Sequence, residues 1–376
     1  MQQRLQKEQL DGALIFSVPC LYYFTGIGVD GALYVPSEAN PTHLVRRNII
    51  LAREYSQIDS IINLAKFSDL FDHLDIPNHS QLIIEKDVMP VSRYEYLARL
   101  SRNQYEFQDG SLLLRQLRSI KTEFELLQIR TAAQLIDRMF TFCVEHVTPE
   151  MTEIELASGL NSWLFKNGHA GHVTTRAFNA LNLQYPYVVS SASATSNILF
   201  TPISGHGLSA KYPFGGSTRK LGKNTPFFID ACGNHNGYIS DTTRTFICGQ
   251  FNKNTQDHLE SLQTIKNFIT SNLRPGKSLG QLFGAVMELS KELGIYEHFM
   301  GYQADKSPFL GHGVGLELDE LPIFYKKGPC LETGHVLASE PKFIDPNLMA
   351  LGIEDTYAIN NSGNRVLTQA ADYFEI

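Results

Sequence analysis

Residues 227–246 read FFIDACGNHNGYISDTTRTF. Two aspartates, Asp230 and Asp241, flank GNHNG, a run of turn-forming residues. Asp230 ends the apolar run 226–229, and Asp241 follows Tyr238 and Ile239. The stretch therefore predicts a β-hairpin with a carboxylate on each arm, in a setting that otherwise reads as buried. A buried carboxylate is costly unless it is paired or holds a metal.

If the pair holds a hard divalent ion, further oxygen donors and an imidazole are required. Three later stretches supply them. FLGHGVGLELDELP, residues 309–322, carries His312 between glycines; HVLASEPKFI, residues 335–344, carries Glu340 at the end of an apolar run; LMALGIEDTYAI, residues 348–359, carries Glu354 inside another. Four acids in apolar strands repel one another strongly unless cations offset them. Two divalent ions beside four acids and one neutral histidine would bring such a site near neutrality, with bridging carboxylates as in two-metal hydrolytic sites.

The rest of the composition narrows the field. The chain has 376 residues, 43% apolar and 19% charged, which fits a soluble globular protein of two domains. A net charge of −7 with no basic run argues against nucleic-acid or anionic-membrane partners. The amino-terminal stretch reads as neither a signal peptide nor a membrane span. Five widely spaced cysteines without a CxxC read as reduced thiols of a cytoplasmic protein.

Along the chain, short strand signals alternate with helices up to about residue 110, predicting a mixed sheet with covering helices. Residues 117–147, LRSIKTEFELLQIRTAAQLIDRMFTFCVEHV, keep helical spacing over about eight turns. Thr152 and Glu155 form a capping-box pattern that opens a second helix, which Gly168 is placed to stop. Two more amphipathic segments, 254–273 and 278–294, lie among strands, so the second half predicts an α+β domain with a largely antiparallel sheet.

The five positions Asp230, Asp241, His312, Glu340 and Glu354 resemble, in order and local context, the metal ligands of the methionine aminopeptidase, prolidase and aminopeptidase P superfamily. DGALIFSVPCLYYFTG, residues 11–26, is similar to the opening of the creatinase-type N-terminal domain found in that family, and residues 117–137 resemble its linker helix. The resemblance implies an α/β creatinase-type domain over 1–115 and a pita-bread catalytic domain over 116–376, a curved, mostly antiparallel sheet covered by helices. It also implies a homodimer and a dinuclear metallohydrolase of the Xaa-Pro peptidase type, cleaving a small peptide or amide. The two ions would be Mn²⁺, favoured by the oxygen-rich ligands, or Co²⁺, Zn²⁺ or Fe²⁺. Glu340 would also serve as general base.

Three departures bear on specificity. A histidine usual before the first aspartate is replaced near Pro213 or Phe214; a second, after the glycine motif, is replaced by Asp319; an arginine usual two residues before the last glutamate is Gly352. Asp319 is a candidate catalytic residue, either orienting and donating protons or binding a cationic group. His206 is the candidate substitute for the first histidine, whereas His169, His172 and His235 read as loop or surface residues. Arg176 and Asn179 are open between substrate contact and structural hydrogen bonding. Two rival functions stay open: non-peptide C–N hydrolysis or lyase chemistry on the same metal scaffold, and a non-catalytic binding module.

Overall fold

The computed structural model describes residues 1–176, 186–194, 201–346 and 348–376. Two compact units emerge, Met1–Leu117 joined by Arg176, and the remainder from Arg118 onward.

The first unit is built on a six-stranded mixed sheet in the order Ser60–Asn63, Thr42–Val45, Gly31–Pro36, Gly12–Ile15, Ser80–Ile84, Tyr105–Asp109. Gly12–Ile15 runs antiparallel to Gly31–Pro36 and parallel to Ser80–Ile84. Its central strands look apolar because both their faces are covered: Leu14, Ala32 and Leu82 pack into one cluster, while Ala13, Ile15, Leu33 and Ile83 pack into another. The aromatic segment after the first strand folds as the helix Val18–Thr25. Ser17 caps its start, and Gly26, at φ 85°, ends it.

Among its described residues the second unit has two larger sheets, besides the two-stranded pairs Gly301–Tyr302 with Asp305–Lys306 and Lys342–Asp345 with Met349–Gly352. One is ordered Tyr373–Glu375, Tyr238–Ile247, Pro226–His235, Tyr187–Ser190; the other is ordered Glu320–Tyr325, Phe309–Gly313, Val336–Ser339, Asp355–Asn360, Gly363–Val366. Pairing is antiparallel except where Tyr373–Glu375 joins Tyr238–Ile247. Helices Glu123–His146 and Glu153–Lys166 bury Ile136, Phe140 and Leu160 against Phe227, Ile229 and Ala231. Helices Lys253–Asn272 and Leu279–Glu292 bury Leu262, Ile265 and Leu282 against Leu337, Tyr357 and Ile359.

These core residues hold odd-numbered positions on their strands, so the even-numbered ones point to the other face of each sheet. Asp230, Cys232, His312, Ala338 and Thr356 are on those opposite faces. The hairpin pairs without interruption from Pro226↔Ile247 to His235↔Tyr238. Its turn is only Asn236-Gly237, both at positive φ, 50° and 84°. The turn is thus shorter than GNHNG suggested, because Gly233 to His235 remain in register, and Asn-Gly suits a two-residue loop with positive φ at both positions.

The long helical stretch is not one helix. It divides into Ser111–Ser119 and Glu123–His146. Thr122 and Glu125 close a reciprocal capping box, and the Lys121 ammonium is drawn onto Glu320 at 2.7 Å, so the backbone leaves the helix between them. Helical periodicity continues across this break, which is why spacing alone missed it. The second capping box forms as read, with Thr152 Oγ1 accepting from the Glu155 amide and Glu155 accepting from the Thr152 amide.

Candidate metal centre

The hairpin places its polar pairs by register. Asp230 lies opposite Thr243, and Asp241 lies opposite Cys232, so all four side chains share one face. In the other sheet His312 pairs with Ala338, and Ala338 pairs with Thr356. Glu340 follows Ala338 by two residues, and Glu354 precedes Thr356 by two, which gives both the facing of His312. Hydrogen bonds join the two faces: the Asp241 amide donates to Thr356 Oγ1 at 3.0 Å, and Thr243 Oγ1 donates to Glu354 Oε2 at 2.6 Å.

The five residues singled out from the sequence converge. Asp241, His312 and Glu354 offer ligand atoms that lie within 4.8 Å of one another. His312 Nε2 is 3.7 Å from Asp241 Oδ2 and 3.9 Å from Glu340 Oε1. Asp230, Asp241, Glu340 and Glu354 are all buried. Asp230 Oδ1 and Glu354 Oε1 are buried without a hydrogen-bond partner among the described residues. Buried carboxylate oxygens left in this condition are costly, and a cation is what would satisfy them. Three oxygen or imidazole donors around one point suit a divalent ion of the Mn²⁺ or Zn²⁺ kind, so the residues present fit one such ion there.

The other side of the cluster is already cationic. Lys342, 1% exposed, directs Nζ to 2.9 Å from Asp230 Oδ2, 2.8 Å from Glu340 Oε2 and 3.5 Å from Glu354 Oε2. Tyr187 donates its hydroxyl to the same Asp230 oxygen at 2.9 Å. Burial disfavours the Lys342 ammonium, but Asp230, Glu340 and Glu354 outweigh it and push its pKa well above the ordinary lysine value. Two of the carboxylates, Glu354 and Asp241, are raised as well. Burial, then Asp230 and Glu340 against the opposing pull of Lys342, lifts Glu354 to about 8. Burial, Glu354 and Asp230 raise Asp241 well above the usual carboxylate range. One ammonium does not balance four acids.

Sequence reading passed over Lys342, Tyr187 and Thr243. Lys342 did carry a signal: it sits two residues after Glu340 in an apolar run, and a lysine buried in a strand needs acidic partners. Of the other candidates, Asp319 is half-buried beside Glu320, and His206 is exposed and takes no part in the hydrogen bonds of the cluster. Phe214 packs with ring centroids 4.8 Å apart on Tyr187, the tyrosine whose hydroxyl donates to Asp230. His169 is anchored: its Nδ1 accepts from the Gly171 amide, which makes Nε2 the donor to the Cys232 carbonyl at 3.0 Å. Within the first unit Arg176 is bound to Asp87 at 2.7 and 2.8 Å and to Glu85 at 3.2 Å, a structural arrangement; Asn179 lies outside the described residues.

The model of metallopeptidase family M24 matches residues 127–361, and that of the creatinase/prolidase N-terminal domain matches residues 1–120. An Xaa-Pro dipeptidase of Pyrococcus furiosus is 26% identical over 98% of this chain and 98% of its own. An uncharacterized peptidase of Staphylococcus aureus is also 26% identical, over 97% of this chain and 96% of its own. Among solved structures, an X-Pro aminopeptidase from Thermotoga maritima superposes with a TM-score of 0.81 at 19% identity, covering 99% of this chain and 100% of its own. The prolidase of Pyrococcus horikoshii gives 0.79 at 23%, covering 98% and 97%.

Proposed function

The chain belongs to metallopeptidase family M24, with a creatinase-type N-terminal domain, and from that premise we propose that it is a divalent-metal-dependent hydrolase of small peptides, using Asp230, Asp241, His312, Glu340 and Glu354. The observation that carries the reading is their convergence, with the oxygens Asp230 Oδ1 and Glu354 Oε1 buried and unpartnered. When bound, a divalent ion, of which Mn²⁺ suits this donor set, supplies Lewis acidity toward water and a scissile carbonyl. The side chains do the rest. Glu340 is the general base that takes a proton from water and returns it to the leaving nitrogen; its Oε2 is fixed by Lys342, which leaves Oε1 on the His312 side free for that transfer. His312, whose Nδ1 lies 3.2 Å from the Gly313 carbonyl, directs Nε2 toward Asp241.

The P. furiosus relative's name gives Xaa-Pro dipeptides as the first substrates to try. Asp319 stands where a histidine is usual, and an acid at that place repels a free substrate carboxylate. Longer peptides and peptides blocked at the carboxyl end therefore suit this site better than simple Xaa-Pro dipeptides. The test is hydrolysis by chelator-stripped protein after addition of Mn²⁺, Co²⁺ or Zn²⁺, across free dipeptides, blocked dipeptides and tripeptides. Metal-restored cleavage of any of these supports the proposal; no cleavage of the whole panel with any ion refutes it.

A further inference from the structure

A metal centre of four acids and one histidine is built to take two divalent ions only if both cation positions are open. In this chain one of them is filled from within. The Lys342 ammonium lies against three of the four carboxylates, at 2.9 Å from Asp230, 2.8 Å from Glu340 and 3.5 Å from Glu354. The three-donor group Asp241, His312 and Glu354, whose ligand atoms lie within 4.8 Å of one another, shares only Glu354 with the ion-pair partners of the lysine. We infer that Lys342 takes the place of a second cation, so that the site binds one divalent ion per chain, held by Asp241, His312 and Glu354. This inference rests on the metal-dependent reading of the site and gives it a stoichiometry.

The position of Lys342 is built rather than incidental. Lys342 begins the strand Lys342–Asp345, directly after Pro341, and is the cross-strand partner of Gly352 in Met349–Gly352. Directly opposed residues send their side chains to the same face. Gly352 sends none. A Cβ placed there would meet Thr243 Cγ2 at 2.7 Å and Lys342 Cγ at 3.3 Å, so the methylene stem of the lysine runs through the space the glycine leaves. The Lys342 carbonyl is tied to the Met300 amide at 2.9 Å, which fixes the backbone from which the side chain departs. Thr245 Oγ1 accepts from the Gly352 amide at 2.9 Å, and this joins the glycine strand to the hairpin that carries Asp230.

Displacing the ammonium would take a buried charge away from three carboxylates, a loss of several charge-assisted hydrogen bonds. A second divalent ion would have to make that exchange, or sit within a few ångströms of the ammonium and be repelled by it. One ion in the Asp241, His312 and Glu354 group does neither.

The experiment counts ions. Full-length protein is stripped with chelator and titrated with Mn²⁺, and bound metal is measured by equilibrium dialysis with elemental analysis; electron paramagnetic resonance distinguishes an isolated Mn²⁺ from an exchange-coupled pair. The unmodified chain is expected to hold one Mn²⁺ with the spectrum of an isolated ion. Lys342→Ala is expected to hold two and to show the coupled spectrum. Two ions, or none, in the unmodified chain overturn the inference, and so does a folded Lys342→Ala that still holds one. If Lys342→Ala does not fold, the stoichiometry and spectrum of the unmodified chain decide alone. Peptide hydrolysis is scored separately: a chain that binds one ion and cleaves nothing keeps this inference and loses the peptidase reading, whereas a coupled pair with cleavage does the reverse.

Discussion

Two of the buried charge clusters in the second unit differ in their balance. In one, Arg118 and Lys121 meet Glu317 and Glu320: Arg118 Nη1 is 2.9 Å from Glu317, its Nη2 is bonded to Glu320, and Lys121 Nζ is 2.7 Å from Glu320. Glu320 also accepts from the Leu316 amide at 2.8 Å. In the other, Lys342 is the one lysine or arginine among the described residues ion-paired to the cluster, and it touches three of the four carboxylates. Both are buried and both set cationic side chains against carboxylates, yet Glu320 and Glu354 shift in opposite directions. Burial alone would raise Glu320, but Lys121 and Arg118 hold it down at about 2, whereas Glu354 is pushed up to about 8. Equal numbers of cations and acids, with the key carboxylate oxygens engaged, mark a structural network. An excess of acid with orphaned oxygens marks a place that takes a cation.

Several measurements would break or sharpen that contrast. The largest effect is expected on turnover: Glu340→Gln should reduce metal-restored peptide hydrolysis by ~10²–10⁴-fold, the usual contribution of a general base. A loss no greater than that of an exposed surface substitution would remove Glu340 from that role. Next, Glu320→Ala leaves Lys121 without its acid and Arg118 with Glu317 alone, and should cost ~3–5 kcal/mol in urea unfolding. Asp241→Asn removes an acid from the overloaded cluster. The metal-free protein should lose no stability and gain up to ~1 kcal/mol, while Mn²⁺ affinity falls by more than the ~10–100-fold typical of losing a supporting partner. Equal destabilisation by the two variants would erase the distinction between the clusters.

Metal itself provides the next contrast. At a free Mn²⁺ concentration 100 times its Kd, unfolding should be harder by ~2.7 kcal/mol than in chelator, because the ion binds the folded state. In the Lys342→Ala variant that difference should grow. Glu320 gives a pH signature independent of metal. Its folded pKa, about 2, lies below the ordinary 4.5, so its contribution is complete above 4.5 and is lost as pH falls from there toward 2. Metal-free protein should therefore lose urea stability in that window, and Glu320→Gln, already weaker, should lose less; parallel curves would contradict the assignment. The smallest change expected is a modest rise in Xaa-Pro dipeptide turnover on Asp319→His.

The acids of the candidate site were legible in the sequence because a carboxylate in an apolar strand is conspicuous, and Asp230, Asp241, Glu340 and Glu354 each stand in one. The hairpin was legible from GNHNG between β-prone arms, although its turn is only Asn236-Gly237, and the capping box was legible from Thr152 and Glu155. Two kinds of information were not. The break at Ile120–Thr122 combines a local sign, the Thr122/Glu125 capping pattern that the helical spacing masked, with a partner of Lys121 199 residues away, Glu320, which no local pattern shows. The role of Lys342 depends on its register with Gly352 and on the hairpin behind them, so a residue that reads as an ordinary charged position becomes the cation of the site only in three dimensions.

The two-residue turn also has a kinetic consequence. It brings Asp230 and Asp241 onto one face through contacts that are close in sequence, and a hairpin of this kind closes in ~1–10 μs. Glu340 and Glu354 are recruited from about a hundred residues further along, by pairings that wait on loop closure over much of the unit. In folding, the aspartate half of the cluster should therefore be assembled while the glutamate half is still absent. Pulsed hydrogen exchange during refolding should show amides of the hairpin, such as those of Ile229 and Thr242, protected ahead of those in Val336–Ser339 and Asp355–Asn360. The first species able to meet a metal ion during synthesis would then be a two-carboxylate ribbon, still lacking both the imidazole and the lysine that define the finished pocket.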